Sequence, residues 1–220
     1  SGSGKLAPLY TAAGLQGSIS TVGFALLMSW VLGVTVSSGE FRHRTATLTY
    51  LGEPRRSRVL AAKAAAAAVV GAVFGAVGVI LTIGVSLGFV AGHGYAVALA
   101  GTTIVRYAIG AVVGSALLAA LGVALGSLIR AQLGAVVAVL LWGFFAESTL
   151  NNLVNAVGPY LPFTAATTLG GARLATGGFG FPNTSSASPL PFLAAAALLA
   201  AITLVVCALA SRTAVAADVT

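Results

Sequence analysis

Residues 64 to 90 read AAAAAVVGAVFGAVGVILTIGVSLGFV, an apolar run without a charged side chain. Lys63 precedes the run, and the next charged residue is Arg106. A helix that crosses the hydrocarbon core of a bilayer needs about 20 predominantly apolar residues. This stretch therefore predicts a membrane-spanning helix, which we place at about residues 62–90.

The rest of the chain has the same character. Among 220 residues, 11 are basic and 4 acidic, 58% are hydrophobic and 7% are charged. The mean hydropathy is +1.03. Soluble proteins carry about 25% charged residues, so the composition excludes a water-soluble domain. The charge-poor stretches predict five spans, at about residues 17–37, 62–90, 99–129, 132–150 and 190–211.

The apolar runs are continuous and do not alternate every second residue, which favours helices over a β-barrel. We therefore predict an all-α polytopic membrane protein whose residues 1–220 form a single transmembrane domain. The predicted segments outside the spans are 1–16, 38–58, 151–189 and 212–220.

Basic residues are concentrated between the first two spans. By the positive-inside rule, this loop is predicted to be cytoplasmic. Alternation of the spans then places segments 1–16 and 151–189 outside and the tail 212–220 inside. We expect a cluster of side chains to anchor the chain at the inner membrane surface. The cluster consists of Arg55, Arg56, Arg58 and Lys63.

The loop also has the pattern of a short amphipathic helix. Ser37 and Glu40 have the spacing of a capping box, which predicts that a helix begins there. A less polar face follows at intervals of four, three and three residues. It consists of Phe41, Thr45, Leu48 and Leu51. The residues leave two interpretations open: an interfacial helix that anchors the chain in lipid, or a docking element for a cytoplasmic partner.

Three short motifs lie in and after this loop: GEFRHRT at 39–45, PRR at 54–56 and VLAAK at 59–63, with Leu51 between the first two. Together they resemble the segment after the second span of bacterial ABC type-2 permeases, the membrane subunits of ATP-driven exporters. The resemblance in motif covers about 25 residues. It implies six spans in the full protein, the first being absent from this chain.

The resemblance also implies that residues 40–51 include the coupling helix, which seats on an ABC ATPase subunit. ATP and Mg would be bound by that partner, a second permease subunit would complete a homodimer or heterodimer, and the location would be the bacterial cell membrane. Phe41, Leu48 and Leu51 would supply apolar contacts to the ATPase. The implied coupling residues are Glu40, Phe41, Arg42, His43, Arg44, Thr45, Leu48 and Leu51.

The chain shows no motif for chemistry of its own. Gly2-Ser3-Gly4-Lys5 lacks the first glycine of a phosphate-binding loop, and Leu6 replaces the required Ser or Thr. His43 and His93 are predicted on opposite sides of the membrane, and the scattered carboxylates form no ligand cluster. We therefore predict a chain that is not itself an enzyme and binds no metal, cofactor or nucleic acid.

Glu147 lies near the outer end of the predicted fourth span. One interpretation is an ordinary helix end at the headgroups; the other is a break in the helix that lines a polar exit vestibule. The resemblance favours the second, because the last outer connection of such permeases often returns into the bilayer as short helices. Arg106 differs from Glu147 in height by about 13 Å, so we do not expect them to pair. The possible vestibule residues are Glu147, Asn151, Asn152 and Asn155.

Four glycine pairs have four-residue spacing, at 71/75, 84/88, 110/114 and 122/126. They predict close helix packing within the subunit and at a dimer seam. Trp30 and Trp142 leave two interpretations open, core packing and the lining of a translocation path, and we expect core packing for both. A secondary transporter is disfavoured, since ionisable groups in the spans are few and no repeat is visible. The sequence thus predicts the permease subunit of an ABC exporter, with a non-transporting scaffold or the membrane subunit of a sensory complex as the alternative.

Overall fold

The structure is a computed structural model that describes residues 11–19, 21–42, 56–97, 99–129, 131–154, 156–171 and 188–216. Within these ranges every regular element is helical and no strand is present. The α-helices are α1 (Ala12–Ile19), α2 (Val22–Arg42), α3 (Arg56–Gly92), α4 (Gly101–Ile129), α5 (Gln132–Leu141), α6 (Glu147–Leu153), α7 (Pro162–Leu169) and α8 (Phe192–Ala216). A π-helical turn, Trp142–Ala146, joins α5 to α6, and a 3-10 turn, Gly158–Tyr160, precedes α7.

Five stretches of helix in the described ranges are long and apolar enough to cross a membrane. They are Gly17–Gly39, Ser57–Gly92, Gly101–Ile129, Gln132–Leu153 and Phe192–Thr213. The prediction of an all-helical chain with five helices of spanning length is confirmed. Helix α3 extends beyond its predicted span because a helix need not end where the apolar run ends; it begins at Arg56 and includes Arg58.

Helix α4 lies at the centre of the bundle and packs against α2, α3, α7 and α8. Its neighbours approach so closely that glycine is needed at the crossings. A Cβ on Gly71 would lie 2.6 Å from the Ser115 carbonyl oxygen, and one on Gly126 would lie 2.6 Å from that of Val34. The predicted packing role of the pairs 71/75, 110/114 and 122/126 is confirmed. The pair 84/88 differs, because a Cβ at either position would meet nothing within 4 Å.

The main hydrophobic core is formed where α2, α4, α5, α7 and α8 meet. It includes Leu26, Trp30, Leu118, Phe163 and Leu199, all buried. The prediction that Trp30 is a core residue is therefore confirmed. The same prediction for Trp142 is wrong, since 41% of that residue is exposed.

The helical part of the chain begins earlier than the predicted first span. Helix α1 starts at Ala12 and packs on α3, where Leu15 and Ile19 are buried beside Ile83. The hydroxyl of Ser86 on α3 donates a hydrogen bond of 2.9 Å to Ser18 Oγ. Residues 12–16 of the segment predicted to precede the first span are thus helical and packed on the bundle.

Ser37 and Glu40 do not begin a separate helix. Helix α2 continues through both residues to Arg42, and Ser38 Oγ donates to the Val34 carbonyl oxygen, 2.7 Å away. The predicted helix start is wrong because this turn packs on α4: a Cβ on Gly126 would contact both Val34 and Ser37. Tertiary packing outweighs the local capping pattern here. Any helix after Arg42 stays a prediction, since residues 43–55 lie outside the described residues.

Candidate functional site

The predicted coupling and anchor residues are described only in part. Glu40, Phe41 and Arg42 form the last turn of α2, while Arg56, Arg58 and Lys63 belong to the first turns of α3. The Arg58 side chain is exposed. The remaining residues of both sets lie outside the described residues: His43, Arg44, Thr45, Leu48, Leu51 and Arg55.

The start of α3 and the end of α8 lie side by side. Leu60 on α3 and Ala210 on α8 belong to one buried cluster, so the exposed side chains of Arg58 and Arg212 are at the same end of the bundle. The last turn of α2 lies at this end as well, because Val34 packs near the end of α4. This arrangement agrees with the predicted grouping of basic residues on one side.

The fourth span is interrupted halfway along its length. The π-helical turn Trp142–Ala146 contains more residues per turn than an α-helix, so it rotates the side chains that follow relative to a regular helix. The Ser148 hydroxyl donates to the carbonyl oxygens of Phe144 (3.0 Å) and Phe145 (3.1 Å), which lie in this turn. Beyond the turn, only 2% of Glu147 is exposed. Such turns are frequent at functional sites.

After α6 the chain folds back into the bundle. The 3-10 turn packs against α6, where Gly158 contacts the side chain of Asn151. Pro162 then occupies the first position of α7, as suits a residue without an N–H. Helix α7 packs among α2, α4 and α8, and most of its residues are buried.

Helix α7 begins in the interior and runs towards the end of the bundle where α4 starts. At its beginning, the Phe163 ring stacks on Trp30 with centroids 6.2 Å apart and planes inclined at 18°. At its end, Gly171 contacts Tyr107, six residues after the first residue of α4. An ordinary helix end at Glu147 is thus not observed, and the position of α7 within a bilayer stays a prediction.

The Glu147 carboxylate accepts four hydrogen bonds. Oε1 accepts from Trp142 Nε1 at 2.8 Å and from the Phe163 N–H at 2.9 Å. Oε2 accepts from the Thr164 N–H at 2.7 Å and from Thr164 Oγ1 at 2.9 Å. Both carboxylate oxygens are therefore fully engaged inside the bundle.

Glu147 caps α7 from a different segment of the chain. Phe163 and Thr164 lie in the first turn of α7, where N–H groups have no acceptor within the helix. Leu161, at the N-cap position, contributes no side-chain hydrogen bond. A carboxylate at this end also interacts favourably with the helix dipole. Glu147 supplies the missing acceptors.

The other predicted vestibule residues do not all join this site. Asn151 is buried one turn after Glu147 and contacts Gly158, whereas Asn152 is exposed. Asn155 lies outside the described residues. Arg106, as expected, does not pair with Glu147: its guanidinium lies 5.0 Å from the centroid of the Phe192 ring.

No family model, curated protein or solved structure matches this chain. Its function must therefore be argued from its own residues. Within the described ranges, no group of three or more His, Cys, Asp or Glu side chains is placed to hold a metal ion.

Sequence reasoning found Glu147 but missed its partners. Thr164 is 17 positions away in the chain, and no local pattern links the two residues. One signal was present: Pro162 favours a helix start, yet neither Leu161 nor Tyr160 is a good capping residue. A helix that begins without a local cap in an apolar chain needs an acceptor from elsewhere.

Proposed function

We propose that this chain is the membrane-spanning permease subunit of an ATP-driven ABC exporter. It would form the translocation path together with a second permease subunit and couple to a separate ATPase subunit. The observation that carries the proposal is the helix α7, which begins in the interior of the bundle and is capped there by the buried Glu147. The motifs of residues 39–63 identify the exporter class, by resemblance.

A polar interruption at this depth is costly. Ionisable side chains inside membrane proteins are rare, and they usually mark a transport path or relay. Non-helical backbone is tolerated at such depth only where protein or a water-filled cavity surrounds it. A bundle that served only to hold its helices together has no need of the turn Trp142–Ala146 or of the returning residues 156–161. A path beside α7 accounts for both.

Helix α2 offers a mechanical connection between the proposed coupling loop and this path. Its last turn, ending at Arg42, leads into the loop, while Trp30 in its middle stacks on Phe163 of α7. The helix packs along α4 over the intervening turns. A force on the loop from an ATPase would therefore reach α7 through a continuous packed element, which is the kind of contact chain that coupling requires.

The proposed membrane location rests on exposed basic side chains, and the alternative function rests on an exposed apolar surface. The exposed Arg58 and Arg212 suit the cytoplasmic headgroups of a bacterial cell membrane. ATP and Mg would be bound by the ATPase partner, and the chain itself would have no enzymatic activity. The alternative, a non-transporting scaffold or the membrane subunit of a sensory complex, is favoured by one observation: α3 has a broad exposed apolar face that includes the uncovered Gly84 and Gly88.

The first test is purification of the full-length protein from native membranes in mild detergent. We expect an ATPase polypeptide to copurify, and we expect its ATP hydrolysis to lose its dependence on the permease when Phe41 and Arg44 are replaced by alanine. Phe74→Ala is a matched control, since Phe74 is an exposed aromatic residue of α3 away from the loop.

A clean preparation without any nucleotide-binding partner would contradict the exporter proposal and favour the scaffold. If an ATPase copurifies but the alanine variants hydrolyse ATP as the parent complex does, the coupling role of residues 40–51 is wrong.

A further inference from the structure

We propose that Glu147 is a latch that joins α7 to the fourth span, so that α6 and α7 move as one unit about the turn Trp142–Ala146. This inference rests on the proposed function, for which the unit would be the moving part of the path. It names a positioning residue and a hinge that the resemblance does not supply.

The first step of the argument is the way in which α7 is attached. It packs on α2, α4 and α8, and its buried side chains there include Phe163, Ala166 and Leu169. Towards the fourth span, the polar attachment in the described structure is the Glu147 carboxylate, with its bonds to Phe163 and Thr164. The 3-10 turn gives a second connection through the contact between Gly158 and Asn151. Both connections lead to α6, beyond the π-helical turn. Glu147 Oε1 also accepts from Trp142 Nε1 at the first position of that turn, so this bond spans the hinge and must change when the hinge bends.

The second step is the hinge. The turn Trp142–Ala146 interrupts the regular hydrogen bonding between α5 and α6. The Ser148 hydroxyl donates to the carbonyl oxygens of Phe144 and Phe145 in the turn. It can keep one of these two acceptors when the turn changes shape. Sharp bends of helices occur at such turns. A bend at this place would carry α6, Glu147 and α7 together.

The third step is what α7 covers. Gly114 of α4 lies against Ala166, and Gly170 lies against Ala111 and Leu26. Phe163 covers one face of Trp30. Withdrawal of α7 would uncover an apolar groove between α2 and α4, whereas in the present structure Ala111 is fully buried.

The test uses full-length protein in lipid vesicles, with Cys207 replaced by serine. Hydrogen exchange of the α7 amides measures how firmly α7 is held, and maleimide labelling of an Ala111→Cys variant measures whether the groove opens. We expect Glu147→Ala to raise both rates at least about tenfold, since one hydrogen bond to a charged acceptor is worth about a decade in an equilibrium constant. Glu147→Gln keeps one acceptor oxygen, so its exchange and labelling rates should lie between those of the parent and those of Glu147→Ala.

Two variants serve as controls. Thr149→Ala changes an exposed side chain of α6 that contacts neither the turn nor α7 through a hydrogen bond, so it should leave α7 exchange and labelling unchanged. The pair Ala111→Cys and Gly170→Cys should form a disulfide, since a Cβ on Gly170 would lie 3.5 Å from that of Ala111. This cross-link should restore slow exchange of α7 in the Glu147→Ala protein.

Parent-like exchange and labelling in Glu147→Ala would overturn the latch. Faster exchange throughout α4 as well would mean that the variant has unfolded. Thr164→Val then decides, because it removes only one bond to Glu147: faster exchange confined to α7 supports the latch, and unchanged exchange overturns it. Neither measurement needs an ATPase or a cargo. The latch can therefore be overturned while the exporter proposal stands, and the exporter proposal can be overturned while the latch stands.

Discussion

Helix α3 and the segment from Trp142 to Gly171 differ in how an apolar chain satisfies its backbone polar groups. Helix α3 is unbroken over 37 residues, and much of its apolar surface is exposed, including Val73, Ile80 and Val85. The segment 142–171 contains a π-helical turn, a 3-10 turn and two short helices, and its key carboxylate is buried.

The difference shows where specific interactions are needed. A continuous helix satisfies its own backbone, so α3 needs only an apolar environment. A broken segment leaves helix ends without partners, so each must be satisfied by a particular side chain. Substitutions in the segment should therefore have large effects that depend on the atom removed, whereas those on the exposed face of α3 should have small effects.

The largest effect should come from Glu147→Leu. The leucine fills most of the space but leaves the donors of Trp142, Phe163 and Thr164 without an acceptor. Buried unsatisfied donors cost about 1–3 kcal/mol each, so we expect a loss of about 3 kcal/mol or more in the free energy of unfolding, measured in mild detergent. Val85→Leu on the exposed face of α3 is the matched control and should change stability by less than about 0.5 kcal/mol. Equal effects at the two sites would remove the distinction between the regions.

Close packing on α4 should give the next effect. In Gly126→Ala, the new methyl group would lie 2.6 Å from the Val34 carbonyl oxygen, and the helices must separate. Overpacking of this kind costs about 1–3 kcal/mol. Gly134→Ala is the control, because its Cβ would meet only the Ala131 Cβ at 3.7 Å. A Gly126→Ala protein as stable as the control would show that the α2–α4 contact is looser than the structure has it.

Two buried hydroxyl groups allow a finer test. Thr164 Oγ1 donates to Glu147, whereas Ser115 Oγ, on the α4 face towards α3, has no hydrogen-bond partner in the described structure. We expect Thr164→Val to destabilise by about 1.5 kcal/mol, and Ser115→Ala to be neutral or slightly stabilising. Thermal unfolding of the two proteins, side by side, measures the contrast. A destabilised Ser115→Ala protein would indicate that this hydroxyl has a partner after all.

The regular parts of the fold could be predicted because their signal is local. The charge-free run after Lys63 contains enough information for α3, and the other spans follow in the same way. The glycines facing Ser115 and Val34 could be flagged by spacing. Spacing alone could not separate them from Gly84 and Gly88, because only the three-dimensional packing decides which face of a helix is covered.

The irregular parts depend on contacts that are distant in sequence. The capping pattern at Ser37 and Glu40 is correct as a motif, yet α2 continues through it because its turn packs on α4. Glu147 stood out as an ionisable residue in a span, but its role follows from a π-helical turn and from Thr164, neither of which has a local signature. Local rules fail at the positions where tertiary contacts replace them.

The smallest effect should occur at the open glycines of α3. In Gly84→Ala and Gly88→Ala, the methyl groups would meet nothing within 4 Å, so only the higher helix propensity of alanine remains, a gain of at most about 1 kcal/mol per site. We expect unchanged or slightly higher thermal stability for the purified protein.

The same variants should then be compared in native membranes, by their oligomeric state after chemical cross-linking. A stable subunit with fewer cross-linked dimers would mean that a second copy covers this face, because a glycine pair at this spacing lets two helices approach closely. Unchanged cross-linking would leave the face to lipid, as the contrast between α3 and the segment 142–171 requires.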